Sequence, residues 1–359
     1  MLNSSFLLPV SKNIRHSLIN NEWTQPALAS CHILKWIGGC LCFIFIFGII
    51  LNSFILCILL NKKQLQSPIN LFIIVLSSVD LIHALFGIPL PLTSNFACQW
   101  LYGKYLCYYE GFIAYSVGMI GLYLLTALSL NRYWIIVTHV QPKYTAFQTI
   151  YVSIFLAIVG GLFWAIVPMF GWNYYTLEGV LTSCSVRCQD RTLNVISYNI
   201  CLFLFGYIIP LFILIFCNTK IYLEVFNVSK RGSKWGNSLT RTRSRRKQEL
   251  EKHVAKTVIF IIVTFTIAWT PYASVAFISS FFSPTLISPL GGTLPAIFAK
   301  SSICFNPLVF ILTNSHIQST VFQQKKKTSH TSGSYYVYTH NEQSNSRILL
   351  GSIEIRRKS

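Results

Sequence analysis

Residues 293–313, TLPAIFAKSSICFNPLVFILT, form an apolar run of 21 residues in which Lys300 is the one charged side chain. About 20 such residues cross a bilayer as a helix, because a helix satisfies its own backbone hydrogen bonds. Six similar runs precede it, at roughly 36–60, 69–92, 107–137, 151–171, 197–219 and 254–280. None alternates polar and apolar residues as a barrel strand does. The sequence therefore predicts an all-α membrane protein with a seven-transmembrane helix bundle.

The composition supports this fold class. Hydrophobic residues make up 53% of the chain and charged residues 11%, with a mean hydropathy of +0.53. A soluble domain carries about 25% charged residues, so a soluble enzyme, a secreted disulfide scaffold and a disordered chain are excluded. A strongly positive net charge, here +19, is also typical of nucleic-acid binders, but those proteins are not this apolar. We therefore expect membrane lipid and no nucleic acid among the partners.

The lysines and arginines are distributed unevenly between the two ends of the predicted bundle. With the N-terminus outside, 22 of the 29 lie on the cytoplasmic side, 6 lie outside, and Lys300 lies within the membrane. Cytoplasmic loops carry such an excess and face an anionic leaflet. The predicted organisation is an extracellular tail (1–35) with a glycosylation acceptor at Asn3, the bundle with a short amphipathic cytoplasmic helix after the seventh (36–322), and a cytoplasmic tail (323–359).

The chain has 11 cysteines, most of them inside apolar runs. Cys107 and Cys184 are predicted to face an oxidising compartment, where a disulfide would clamp the second outer loop onto the bundle. Cys188 and Cys98 are rival partners that the spacing does not dismiss.

Ionisable residues within a bilayer are costly and indicate function by default. Asp80, Glu110, Arg132 and Lys300 lie in the predicted spans, and Glu178 lies in the loop after the fourth. Lys300 has two interpretations. It could simply pair with Glu110, or its amine could form a Schiff base with a carbonyl compound, since a desolvated lysine loses its proton readily. No metal site is indicated.

A series of short motifs, each weak alone, is specific in its order. The series resembles the rhodopsin-like G-protein-coupled receptors, and it comprises Asn52, Asn70-Leu71, Asp80, Arg132-Tyr133, Trp164, Pro210, Trp269-Thr270-Pro271-Tyr272 and Asn306-Pro307. The segment Ala296-Ile297-Phe298-Ala299-Lys300 resembles the retinal-attachment segment of opsins, with its lysine six residues before the Asn-Pro pair.

 The stretches at 107–112 and 171–179 resemble opsins as well, and the likeness covers residues 36 to about 322.

The resemblance implies that Lys300 binds retinal covalently as a protonated Schiff base, with the 11-cis isomer in the dark. It implies a carboxylate counterion, which we expect to be Glu110, with Glu178 as the alternative. Residues expected to line the retinal pocket are Gly118, Met119, Tyr207, Trp269, Tyr272 and Ala296.

The resemblance also implies a heterotrimeric G protein as partner, with arrestin and a receptor kinase at the Ser/Thr-containing tail. Asp80 is expected to join a polar network with Asn52 and Asn306, beside Pro307, that rearranges on activation. The sequence departs from the family at two positions. Asn131 replaces the acidic residue before Arg132-Tyr133, and Phe310 replaces a tyrosine. Glu251 matches the second acidic partner of Arg132, and some activity in the dark is expected unless Glu251 suffices.

A light-activated receptor in the plasma membrane or a photoreceptor membrane, without enzymatic activity, is therefore the leading functional prediction. One alternative is a retinal photoisomerase with the same fold and lysine, which Asn131 and Phe310 slightly favour. A second is a receptor for a diffusible ligand, because an Asn-Arg-Tyr triplet also occurs in melatonin-type receptors. Lys300 argues against that second alternative.

Overall fold

The computed structural model describes residues 23–61, 68–138, 146–231 and 238–313. Asn3, the predicted short helix after the seventh span and the tail from 323 onward lie outside these residues. Glu251 belongs to a described helix, but its side chain is outside what the structure describes.

Within the described residues, seven helices are long and apolar enough to cross a membrane. Three of them are interrupted, and we number the seven in chain order. They are α1 (Cys31–Asn61), α2 (Pro68–Ile82, His83–Gly87 and Pro89–Phe96), α3 (Gly103–Ile136), α4 (Ala146–Ile166), α5 (Leu193–Cys201, Leu202–Ile208 and Ile209–Arg231), α6 (Ser238–Phe281) and α7 (Pro289–Lys300 and Ser302–Thr313). The predicted seven-helix fold is confirmed.

Most helices extend beyond the apolar runs that predict them. Helix α1 begins at Cys31, within the stretch 1–35 that was predicted to be a tail, and α6 begins at Ser238 rather than near 254. The reason is that hydropathy detects only the part of a helix that fits the bilayer core, whereas a helix continues wherever its backbone bonds and residues allow.

Two helices contain a π-helical segment close to a proline. The segment His83–Gly87 in α2 precedes Pro89, and the segment Leu202–Ile208 in α5 precedes Pro210. A proline lacks the backbone N–H and its ring clashes with the carbonyl four residues earlier. A wider turn before the proline relieves that clash, and such turns are frequent at functional sites.

A two-stranded antiparallel hairpin follows α4, and it was not predicted. Strand β1 (Tyr175–Glu178) pairs with β2 (Ser183–Val186), so that Leu177 lies opposite Cys184. Positive φ angles at Gly179 (54°) and Leu181 (68°) form its turn. The hairpin is buried against α3 and α4, where the Tyr175 hydroxyl donates to the carbonyl of Ala165 over 2.8 Å. Each strand has four residues, and the described residues contain no other strand.

Two disulfides join the loops to the helices. Cys107 at the beginning of α3 is bonded to Cys184 of β2, as expected. Cys98 is bonded to Cys31, so the idea that it competes for Cys107 or Cys184 is wrong. This second bond was not predicted because residues 1–35 were assigned to a tail. Cys31 instead begins α1 and lies next to the end of α2. Cys188, the other rival, remains a thiol.

A buried lysine and carboxylate as the candidate functional site

The centre of the site is an ion pair between α7 and α3. Lys300 Nζ lies 3.0 Å from Glu110 Oε1, and the two side chains are 8% and 0% exposed. Lys300 is the last residue of the first half of α7, which begins at Pro289, so it lies about 16 Å along the helix. A lysine at this depth cannot extend its amine to water along the helix end. Its charge is therefore balanced inside the protein.

Backbone and side-chain donors of the hairpin complete the surroundings of the pair. The N–H of Cys184 donates to Glu110 Oε2 over 2.7 Å, which engages the second oxygen of that carboxylate. Lys300 Nζ also donates to Ser183 Oγ over 2.8 Å. The Ser183 hydroxyl in turn donates to Glu178 Oε1 over 3.0 Å. Ser183 thus connects the lysine to the second carboxylate, and Lys300 contacts Glu110 directly and Glu178 indirectly.

Glu178 lies at the end of β1 with both oxygens engaged. Besides Ser183, the hydroxyl of Tyr272 donates to its Oε2 over 3.2 Å. Burial raises the pKa of the Glu178 carboxyl above its usual 4.5, and the positive charge of Lys300 partly opposes that rise. The two carboxylates therefore differ in kind: Glu110 is a direct partner of the amine, and Glu178 is a buried acid whose ionised form is less favoured.

Two neighbouring cavities extend from this cluster. One, of about 340 Å³, is bounded by Lys300, Glu178 and His83, among others. The other, of about 570 Å³, lies between α3, α5 and α6 and has Phe203 and Ala276 on its wall. Both have Tyr115, Trp269 and Tyr272 as lining residues, so the two cavities adjoin at these three rings. Together they make an elongated space with the amine at one end and apolar and aromatic walls elsewhere.

All six residues predicted to line a retinal pocket lie on these cavity walls. Those on the larger cavity are Gly118, Met119, Tyr207, Trp269 and Tyr272, and Ala296 lies on the smaller one. Gly118 has a clear steric reason, because a Cβ there would collide with the Trp269 ring. The indole N–H of Trp269 donates to Ser302 Oγ over 3.1 Å, which joins α6 to α7 just past Lys300.

The predicted polar network is present in part. Asn306 Nδ2 donates to Asp80 Oδ2 over 3.0 Å, with both residues buried. Asn52 Nδ2 instead donates to the carbonyls of Gly48 and Ile303, at 2.8 and 2.9 Å. Asn52 is therefore linked to α7 through the backbone of Ile303, which lies three residues before Asn306 and four before Pro307.

The Asn131-Arg132-Tyr133 triplet lies near the other end of α3. Asn131 Nδ2 donates to Ser153 Oγ of α4 over 3.1 Å and to the carbonyl of Ala127 over 2.8 Å. Arg132 is buried, and the ring of Tyr133 packs against Phe216 with centroids 5.7 Å apart. The side chain of Asn131 therefore links α3 to α4. Phe310 is 3% exposed, in the second half of α7.

Three residues of the site were not singled out from the sequence. Ser183 and Tyr115 carry no signal of their own, because serine and tyrosine are common in loops and in helix cores. His83 does carry one, since histidine is among the ionisable residues that are costly within a membrane. The criterion that points to Lys300 therefore points to His83 as well.

Comparison with known proteins agrees with this geometry. The family of the 7 transmembrane receptor (rhodopsin family) matches residues 51–310. The Gq-coupled rhodopsin of Mizuhopecten yessoensis is 32% identical, over 85% of this chain and 62% of the relative. The G0-coupled rhodopsin of the same species is 32% identical, over 77% and 69%. The crystal structure of squid rhodopsin aligns with a TM-score of 0.79 and 27% identity, covering 88% of this chain and 91% of that one.

The chain spans about three fifths of the length of several relatives, including those of Mizuhopecten yessoensis (Gq-coupled), Todarodes pacificus and Enteroctopus dofleini. The family match nevertheless covers well over half of this chain, and it includes α2 to α6, the last 11 residues of α1 and all but the last three residues of α7. The chain belongs to the rhodopsin family of seven-transmembrane receptors and, within it, to the opsins.

Proposed function

We propose that this protein is a light-activated receptor that carries retinal on Lys300 and activates a heterotrimeric G protein. The observation that carries the proposal is the amine of Lys300, which lies at the end of an elongated aromatic cavity and is paired with the buried carboxylate of Glu110. Relatives named as Gq-coupled and G0-coupled rhodopsins support the same function.

The cavities suit retinal in shape and chemistry. Pockets for small ligands are mostly apolar with a few placed polar groups. The walls of the two adjoining cavities are mostly apolar and aromatic, and their polar groups are concentrated at the Lys300 end. A long, rigid, apolar molecule with one reactive end matches this arrangement. A ligand with polar groups along its length would leave them unpaired beside Phe203 and Leu122.

Retinal supplies a light-absorbing polyene and an aldehyde that can condense with an amine. Lys300 supplies the amine, and we propose a covalent Schiff-base linkage at its Nζ with the 11-cis isomer in the dark. The residues around it keep a positive charge on that nitrogen. A buried cation without a partner would lose its proton, and the Glu110 carboxylate 3.0 Å away prevents this. The disulfide-bound strand β2 holds Glu110 in place through the Cys184 amide.

Glu110 is the counterion of the dark state in this proposal. It contacts Nζ directly, whereas Glu178 reaches Nζ through the hydroxyl of Ser183. The Coulomb interaction weakens with distance, so the direct carboxylate dominates. Glu178 stays close enough to take over if the lysine nitrogen moves away from Glu110, because the bridging hydroxyl already bonds to both groups.

Trp269 is the link between the cavity and the rest of the bundle. Its ring packs against Gly118, its N–H bonds to Ser302 of α7, and it lies two residues before Pro271 in α6. A change in the shape of the bound retinal would push this ring. Pro271 lies inside α6, and a proline inside a helix is a point at which the helix can bend. The two retinal isomers would then favour different positions of α6, which is a population shift between two receptor states. The Asp80–Asn306 pair on α2 and α7 is a second contact that such a shift would alter.

The excess of basic residues supports an N-terminus outside the cell and a long loop between α5 and α6 inside, and we propose a plasma or photoreceptor membrane. An outward movement of α6 would open a cleft on the cytoplasmic side, and that cleft would face the G protein. Arrestin and a receptor kinase are proposed partners of the serine- and threonine-containing tail.

Light-dependent nucleotide exchange tests this function. Membranes containing the full chain and 11-cis retinal are mixed with heterotrimeric G proteins of the Gq and Go classes, and exchange is measured in the dark and after a flash. We expect at least a tenfold rise with one class, and no rise with Lys300→Ala. A protein that isomerises retinal in light without raising exchange would be a photoisomerase, and the receptor proposal would be wrong.

A further inference from the structure

His83 is a buried histidine that has no role in the retinal binding proposed above. It lies in α2 at the beginning of the π-helical segment, three residues after Asp80. Its side chain is 1% exposed, and within the described part of the chain neither ring nitrogen has a hydrogen-bond partner. Buried polar groups almost always have such a partner. The ring therefore makes no hydrogen bond that holds the fold in place.

The local structure makes room for the ring. Gly87 lies one turn further along α2, and a Cβ at that position would collide with the His83 ring. The N–H of Ile88 bonds to the carbonyl of His83 over 3.0 Å, which closes the wide turn. The π-helical turn and Gly87 therefore create a socket for the imidazole on the side of α2 that faces the cavity.

His83 and Lys300 are on the wall of the same cavity of about 340 Å³. The other titratable groups that face it are Tyr115 from α3, Glu178 from β1 and Tyr272 from α6. Asp80 precedes His83 on its own helix, and Glu110 is paired with Lys300 from α3. The cluster thus has two carboxylates close to the amine, and a proton that leaves the amine would have several acceptors to choose from.

Protonation of His83 would break fewer hydrogen bonds than protonation of either carboxylate. Glu110 receives hydrogen bonds from Lys300 and from the Cys184 amide, and Glu178 receives them from Ser183 and Tyr272. These donors favour the ionised carboxylate, although burial opposes their effect at Glu178. His83 holds no hydrogen bond that protonation would break. An imidazolium would also keep one cation in the cavity whose wall includes Glu178.

We propose that His83 is a second proton site of the Lys300 cavity, neutral while the lysine nitrogen is charged and protonated when that nitrogen is neutral. In the exchange an N–H bond on Lys300 breaks and an N–H bond on the imidazole forms, so the cavity keeps its net charge. Two cations in one small apolar space repel each other, so the two nitrogens alternate. In the light-activated receptor proposed above, on which this physiological role rests, the proton would stay in the pocket.

The test uses the full chain without retinal, in lipid nanodiscs and with ¹⁵N-labelled histidine rings. Nitrogen NMR separates neutral imidazole from imidazolium. At about pH 7.5, histidines exposed to water are mostly neutral, since their pKa is about 6.5. Lys300→Met and Lys300→Gln both remove the cation from the cavity. We expect one of the eight histidines to become imidazolium in each variant. Adding His83→Gln should abolish that change, and adding His32→Gln should not, because His32 is exposed and outside the cavity.

A histidine spectrum in both lysine variants that equals that of the wild type would overturn the proposal, and so would a change that survives His83→Gln. Because retinal is absent, these results do not depend on pigment formation. A protein that shows the histidine change but forms no visible pigment would instead contradict the proposed function alone.

Discussion

The backbone N–H of Cys184 donates a 2.7 Å hydrogen bond to Glu110, so the residue that carries the disulfide to α3 also holds the carboxylate that pairs with Lys300. The hairpin is therefore part of the electrostatic site as well as a cover for the bundle. Anything that displaces β2 should change the charge balance at the lysine nitrogen.

The two disulfides provide a matched test of that coupling. Each should contribute about 2–4 kcal/mol to stability, since both close loops of similar length. Replacing both Cys107 and Cys184 with alanine should lower the Tm and also shift the absorption peak of the retinal-loaded protein. Replacing Cys31 and Cys98 should lower the Tm and leave the peak in place. Equal peak positions in the two double variants would show that the hairpin does not hold the counterion.

Glu110→Gln and Glu178→Gln should differ strongly in the dark. Breaking a buried ion pair costs about 3–5 kcal/mol, which corresponds to about two to four pH units at 1.36 kcal/mol per unit. Glu110→Gln should therefore convert a visible pigment into an ultraviolet-absorbing one at neutral pH, whereas Glu178→Gln should retain the visible band. Absorption spectra recorded across pH make the comparison, and the reverse order would assign the counterion to Glu178.

The raised pKa of Glu178 predicts how stability depends on pH. The folded protein holds this proton more tightly than the unfolded chain, whose glutamate has a pKa of about 4.5. As pH rises from 4.5 towards the higher folded pKa, the unfolded state loses its proton first, so this carboxyl makes the fold less stable. Glu178→Gln should remove that decline. Thermal unfolding of both proteins across this range measures it, and parallel Tm curves would contradict the prediction.

Gly118→Ala should disturb the cavity through Trp269. The added methyl group collides with the indole ring, and overpacking of this kind costs about 1–3 kcal/mol. We expect a lower Tm and a lower yield of retinal-loaded protein. Gly160→Ala is the control, because its nearest neighbour would be Tyr123 at 3.7 Å, an ordinary contact. Loss of pigment in both variants, or in neither, would contradict the role of Gly118.

Asn131 predicts measurable activity in the dark. Its amide bonds to Ser153 of α4, and an acidic residue in its place could pair with Arg132. Asn131→Glu should reduce dark nucleotide exchange about fivefold, equivalent to about 1 kcal/mol of coupling. Ser153→Ala removes the contact between α3 and α4 without adding a charge and should leave dark exchange nearly unchanged. Unchanged dark exchange in Asn131→Glu would show that the absent carboxylate does not matter.

The sequence sufficed for the helices and for the ion pair. Apolar length predicts each span because the bilayer sets it, and a lone lysine in such a span requires an anion, of which few were available in the chain. The contacts of the hairpin were not predictable. Ser183 lies between Lys300 and Glu178 only because β2 pairs with β1 in one register, and no local pattern encodes that register. Cys31 was assigned to a tail because its helix begins before the apolar run does.

The central claim is that retinal binds covalently at Lys300, and the absorption spectrum of the purified protein with 11-cis retinal tests it most directly. The account predicts a visible band that bleaches or shifts on illumination, and that remains attached to the protein after reduction with borohydride. Lys300→Ala should lack the band, while Lys104→Ala, a lysine outside the cavity, should retain it. A visible band that persists in Lys300→Ala, or none in the wild type, would contradict the account.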